Sequence, residues 1–183
     1  MPTEERYLDK NLYIFGQIDA DMAEGICTTL IALEALGAPE VNIWLNTPGG
    51  EMAAAFAITD IFHAIKCKVR VIALGECYSA GMNILVNGTP GMRLVMPNAS
   101  LMMHEFGWAV EGRSSNIIAT NIEVVNLHDK LQKMFVKYTN MTKKTIDLYL
   151  KGSDTWLTPK EAVELGIADK IITGSIANII KVG

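Results

Sequence analysis

Val69-Arg70-Val71-Ile72-Ala73-Leu74-Gly75-Glu76-Cys77-Tyr78-Ser79-Ala80-Gly81-Met82-Asn83-Ile84-Leu85-Val86 is the stretch that decides the fold of this chain. Its β-branched apolar opening reads as a strand that ends at Gly75. Small residues follow, and Met82 onward reads as the start of a buried helix. A strand that turns sharply into a helix presents a side chain at the turn. It also aims the helix's free backbone N–H groups at whatever that side chain attacks. Ser79 stands where a nucleophile elbow places its serine. The first glycine of Gly-x-Ser-x-Gly is Cys77 here. The same stretch therefore also fits a plain strand–helix junction with a small residue at the turn.

Working outward, the pattern alternates. Leu12–Phe15 is a short strand ending at Gly16. Asp19 or Asp21 caps a helix over about 22–36, with Gly37 and Pro39 as stop signals. Val41–Leu45 is the next strand. It runs into Asn46-Thr47-Pro48-Gly49-Gly50, and a helix over about 53–65 follows. Beyond the elbow, short strands are expected at Arg93–Met96 and Leu101–Met103, the second ending at His104. The longest helical pattern covers about 115–138, with Ile118, Ile122, Val125, Leu131 and Phe135 on its apolar side. A shorter helix covers Lys143–Leu150. Thr158-Pro159-Lys160-Glu161 is a capped helix start, that helix ends at Gly166, and Ile171-Ile172 is a last strand. Alternation of this kind implies a layered α/β domain with mainly parallel strands, one domain over residues 1–183.

Composition narrows the function. In 183 residues half are hydrophobic and a fifth charged, which is the balance of a folded globular protein. A net charge of −4 without a basic cluster argues against nucleic acid as the partner. Cys27, Cys67 and Cys77 are widely spaced and odd in number, so they read as reduced core thiols of a cytoplasmic protein. The opening residues, Met1 to Arg6, are polar, and no apolar run is long enough to cross a bilayer, so no membrane is expected.

Three histidines are available. His63 and His128 lie in helical patterns and read as surface or interface residues. His104 closes an apolar strand where strands give way to loops, which makes it a candidate base for a serine. A carboxylate would fix its tautomer and stabilise the imidazolium. Asp154, in Lys151-Gly152-Ser153-Asp154-Thr155-Trp156, competes for that role with Asp129, Asp147 and Asp169, and sequence position alone does not choose. Gly49 and Gly50 after a strand can turn backbone N–H groups into a cavity and stabilise an oxyanion. The same Pro-Gly-Gly is also compatible with an ordinary turn.

Together these pieces resemble the proteolytic subunit of the Clp protease, ClpP, from Leu12 to Ile172. Four motifs carry the resemblance in order. They are Asn46 to Gly50 (Asn-Ser-Pro-Gly-Gly in the family), Gly75 to Ser79 (Gly-x-x-x-Ser), and Met96-Pro97-Asn98 through His104. The fourth is Asp154-Thr155-Trp156-Leu157-Thr158 with Glu161-Ala162 and Gly166-Ile167-Ala168-Asp169. The resemblance selects Asp154 among the aspartates. It implies a triad of Ser79, His104 and Asp154, with the backbone N–H groups of Gly50 and Ala80 as the oxyanion hole. It also implies a ClpP/crotonase-type fold of repeated ββα units with a protruding strand–helix handle over roughly 107–138. A homo-oligomer of two stacked seven-membered rings, a tetradecamer, would enclose the sites. An ATP-dependent AAA+ unfoldase would feed it unfolded protein, with ATP used by that partner and no cofactor in this chain.

The chain departs from the family in several places. Ala80-Gly81 replaces Met and a small residue at the elbow, and Glu105-Phe106 follows His104 in place of Gln-Pro. Ser153 stands where an arginine usually helps join the rings. The first strand begins at about Leu12, which leaves little of the family's axial segment. The wording of Asp154–Thr158 also resembles the ClpP-like maturation proteases of phage heads. Two other readings share the fold: a crotonase-type acyl-CoA enzyme, and a catalytically inactive ring subunit.

Overall fold

A computed structural model of the chain describes residues 10–105, 107, 111–150 and 153–176. Along the chain the elements are β1 (Asn11–Phe15), α1 (Ala20–Ala35), β2 (Glu40–Thr47), α2 (Met52–Ala64), β3 (Lys68–Tyr78) and α3 (Ala80–Val86). They continue with β4 (Arg93–Val95), β5 (Ser100–Met103), α4 (Ser114–Tyr138), α5 (Lys143–Leu150), β6 (Thr155–Leu157), α6 (Pro159–Glu164) and β7 (Lys170–Ile171). Asp19 caps α1, its carboxylate accepting from the Met22 N–H at 2.9 Å. Thr158 and Glu161 complete a reciprocal capping box at α6, with Pro159 in the first turn. The hydrogen bonds from the Thr158 backbone and hydroxyl hold the Glu161 carboxyl below its ordinary range.

The sheet has seven strands in the order β1-β2-β3-β4-β7, and β3 also pairs with β5, which in turn pairs with β6. Every pairing is parallel except β5 with β6, so the mixed α/β architecture with a mostly parallel sheet stands as expected. β3 lies at the centre because its side chains can be buried on both faces. Val69, Val71, Ile72 and Ala73 are all at most 1% exposed. Arg70 is buried in the same run. It donates to Asn42 Oδ1 at 2.6 Å and pairs with Glu40 at 3.1 Å, so its charge is compensated.

β3 does not stop at Gly75, as the sequence suggests, but runs on to Tyr78. Its first part pairs with β4 through Val71–Ala73 and its last part with β5 through Glu76–Tyr78. The break is real but local. The β2–β3 register slips between Leu45↔Ala73 and Thr47↔Cys77, a bulge that re-aims the strand. Gly75 sits at that slip with φ +60°, and a Cβ there would lie 2.5 Å from Asn46 Oδ1. Asn46 uses that space to accept from the Glu76 N–H at 2.9 Å, which replaces a ladder bond lost in the bulge.

α4 divides into two stretches. Leu131 and Phe135 are buried in the domain core, whereas Ile118, Ile122 and Val125 are 62%, 58% and 61% exposed. The single apolar side expected from periodicity is thus two surfaces, one facing the domain and one facing outward. Of the segment of the handle expected to lead into α4, residues 108–110 lie outside the described residues, and 107 and 111–113 are not in a strand.

Candidate active site

The elbow is built from below. Cys77 is fully buried under it, and burial pushes its thiol well up. Its Sγ lies 3.9 Å from Met82 Sδ. Ser79 then takes φ +53° and ψ −115°, the only non-glycine positive φ among the described residues. An L-residue held there stores on the order of 1–3 kcal/mol. The surroundings enforce it: the Ser79 N–H donates to the Met102 carbonyl at 2.9 Å, and α3 starts at Ala80.

The 46–50 loop packs on the elbow from the side. Thr47 Oγ1 accepts from the Gly49 N–H at 3.0 Å and folds the turn. A Cβ on Gly49 would come within 2.8 Å of Ser79 Cβ, and one on Gly50 within 2.1 Å of the Ile18 carbonyl oxygen. Both glycines are therefore required by close approach of backbone. Gly81 is required for the same reason, since a Cβ there would lie 2.6 Å from Thr47 Cγ2. The Gly50 and Ala80 N–H groups have no acceptor among the described residues.

His104 follows β5 directly. Its Nε2 lies 2.8 Å from Ser79 Oγ. β6 runs antiparallel to β5 with Met103 opposite Thr155, so the next pair outward is His104 opposite Asp154. Nδ1 of His104 lies 3.6 Å from Asp154 Oδ1, with the two side chains 33% and 53% exposed. The competing aspartates are placed elsewhere. Asp169 is held by Arg93, whose Nε and Nη2 both reach it, at 3.0 and 2.5 Å. Burial pushes the Asp169 carboxyl up, but the Arg93 bonds and charge, with the Gly91 N–H, outweigh it and hold the carboxyl below its ordinary range. Asp147 accepts from Gln132 and lies 3.8 Å from His128. Asp129 is exposed on α4. His63 bonds Asn87 and stacks on Tyr138.

Beside Ser79 and His104 lies a small cleft of about 20 Å³, room for roughly one water molecule, with walls that include Met52, Met82, Met103, Leu131 and Phe135. Leu131 and Phe135 come from the inner stretch of α4, a contribution that the apolar periodicity of the helix did not assign to the site. Among the described residues no cluster of His, Cys, Asp and Glu could hold a metal ion, and no helix is long and apolar enough to cross a membrane.

A serine at a strained strand–helix elbow, a histidine on its hydroxyl and a carboxylate behind the histidine define the arrangement of a serine hydrolase on a mostly parallel α/β sheet. A family model described as Clp protease matches residues 3–175. The chain belongs to the Clp protease family, a family of serine peptidases.

Proposed function

We propose that this chain is an ATP-dependent Clp-type serine endopeptidase that hydrolyses peptide bonds of unfolded polypeptides. The observation that carries the reading is the 2.8 Å contact of Ser79 Oγ with His104 Nε2 at the strained elbow. In this mechanism Ser79 Oγ attacks the peptide carbonyl carbon while His104 Nε2 takes the hydroxyl proton. Asp154 holds the Nδ1–H tautomer and stabilises the imidazolium. The carbonyl oxygen becomes an oxyanion facing the N–H groups of Gly50 and Ala80, which have no other acceptor to give up. His104 then returns the proton to the leaving amine, and water repeats the sequence on the acyl-enzyme.

Family membership supports the wider setting of the same proposal. The domain spans 1–183 and assembles into two stacked seven-membered rings, a tetradecamer with the sites inside. An AAA+ unfoldase consumes the ATP, this chain needs no cofactor, and the complex works in the cytoplasm. The outward Ile118, Ile122 and Val125 stripe supports the ring-to-ring contact, because an apolar surface of that kind marks an interface. A fluorophosphonate probe with a fluorogenic peptide tests the chemistry: Ser79 becomes labelled and the label blocks hydrolysis. A crotonase-type acyl-CoA enzyme or an inactive ring subunit would leave Ser79 unlabelled and the peptide intact, and that result would overturn the proposal.

A further inference from the structure

The cleft beside Ser79 and His104 is nearly filled by its own walls. Its volume of about 20 Å³ is room for roughly one water molecule. Met52 stands two residues past Gly50 and Met82 two residues past Ala80, and both line the cleft together with Met103, Leu131, Phe135 and Leu150. The cleft is thus flanked by both segments that carry the oxyanion amides of the mechanism above. A residue whose carbonyl carbon is attacked by Ser79 has its own side chain beside this cleft. The walls are held from behind. Met82, Met103, Leu131, Phe135 and Leu150 are each at most 6% exposed, and all five belong to the same core cluster. A close-packed core resists extra volume, because added methylenes force its side chains off their rotamers. Among the apolar walls only Met52, at the start of α2, is half-buried.

We propose that the filled cleft restricts P1, the residue whose carbonyl is attacked, to small apolar side chains, with alanine preferred over leucine. This rests on the peptidase reading above and adds the substrate side chain to it. A single methyl group is close to a water molecule in size and enters without moving a wall. Each further carbon must displace Met52 or press on the buried walls. A leucine at P1 therefore holds its carbonyl away from the Gly50 and Ala80 amides, and the loss falls on acylation and not on affinity alone. A charged side chain is refused as well, since it would lose its water among apolar walls.

The test compares fluorogenic peptides that are identical except at P1, carrying alanine, norvaline, norleucine or leucine, on the full chain. In the wild type kcat/KM should be highest for alanine, fall as the side chain lengthens, and be lower for leucine by roughly tenfold or more. Met52→Ala removes the wall that is not locked in the core and should raise the leucine-to-alanine ratio by about fivefold or more. Phe135→Leu, a smaller change deeper in the wall, serves as the second variant should Met52→Ala disturb α2. A wild type that cleaves leucine as well as alanine overturns the inference. So does an alanine preference that neither substitution relaxes. If Ser79 takes up the fluorophosphonate and leucine is cleaved equally well, the peptidase reading stands and only the restriction at P1 falls. If Ser79 is unlabelled and no peptide is cleaved, both fall.

Discussion

At the scale of single residues, the position of Ser79 carries two opposed consequences. Its hydroxyl serves the proposed chemistry, and its backbone is strained at φ +53°. Ser79→Ala should remove hydrolysis by several orders of magnitude and leave assembly intact, as an assay beside a sizing run would show. Ser79→Gly should be equally inactive but melt higher than Ser79→Ala, because glycine adopts the positive φ without strain. The difference is expected at about 1 kcal/mol in thermal or urea unfolding. Equal melting of the two variants would mean that the elbow stores no strain. Asp154→Asn should cut activity by roughly 10³-fold by disturbing the His104 tautomer, while Asp147→Asn and Asp169→Asn should do far less. The elbow could be read in the sequence because each small residue answers a contact: Gly75 makes room for Asn46 and Gly81 for Thr47. The choice among aspartates could not be read from the residues alone, since Asp154 reaches His104 through a strand pairing.

At the scale of elements, that pairing involves β6, whose three residues are too short a run to read as a strand although Thr155 and Trp156 both favour one. Thr155-Trp156-Leu157 lies between a turn aspartate and a helix cap, and it is a strand only because β5 lies beside it. Long elements with a clear period, such as α1 and α2, were legible to within a few residues. The two faces of α4 were not, because periodicity reports which residues share a side and not what that side meets. The ion pair that ties β4 to the start of β7 gives a test at this scale. Arg93 is buried, donates to Asp169 and also donates to the Tyr138 carbonyl. Asp169→Asn should destabilise the fold by about 2 kcal/mol, since it leaves a buried guanidinium short of its charge partner. The Asp169 carboxyl is held below its ordinary range in the folded protein. Its contribution is therefore complete above the unfolded-state value of ~3.9 and is lost as pH falls through the lower folded value. The gap between wild type and Asp169→Asn in denaturant melts should be constant near neutrality and close only under strong acid. A gap that narrows already between pH 7 and 5 would assign it to another group.

At the scale of the whole molecule, the outward stripe of α4 belongs to no core of this chain. Ile118→Asp should bury an unpaired charge in the proposed ring-to-ring contact and split the assembly into single rings or smaller species. Analytical ultracentrifugation decides it, since a variant that stays fully assembled and active would remove α4 from that contact. Ser153 in place of the family's arginine leaves the contact with fewer charges, so its salt dependence should be shallow.

The same excursion of chain has a polymer consequence. His104 and Asp154 are joined by the whole length of α4 and α5, so their meeting closes a loop of about fifty residues. A three-residue ladder and one long 3.6 Å contact hold its two ends together, while Leu131, Phe135 and the Tyr138 carbonyl tie its middle to the domain. Closing such a loop is opposed by chain entropy on the order of 3–4 kcal/mol. Anchoring the far end of α4 in a partner shortens the free chain and reduces that opposition. The acid–base pair should therefore be tighter in the assembled particle than in a separated subunit. On dilution, the amides of β6 should lose hydrogen-exchange protection well before those of β3.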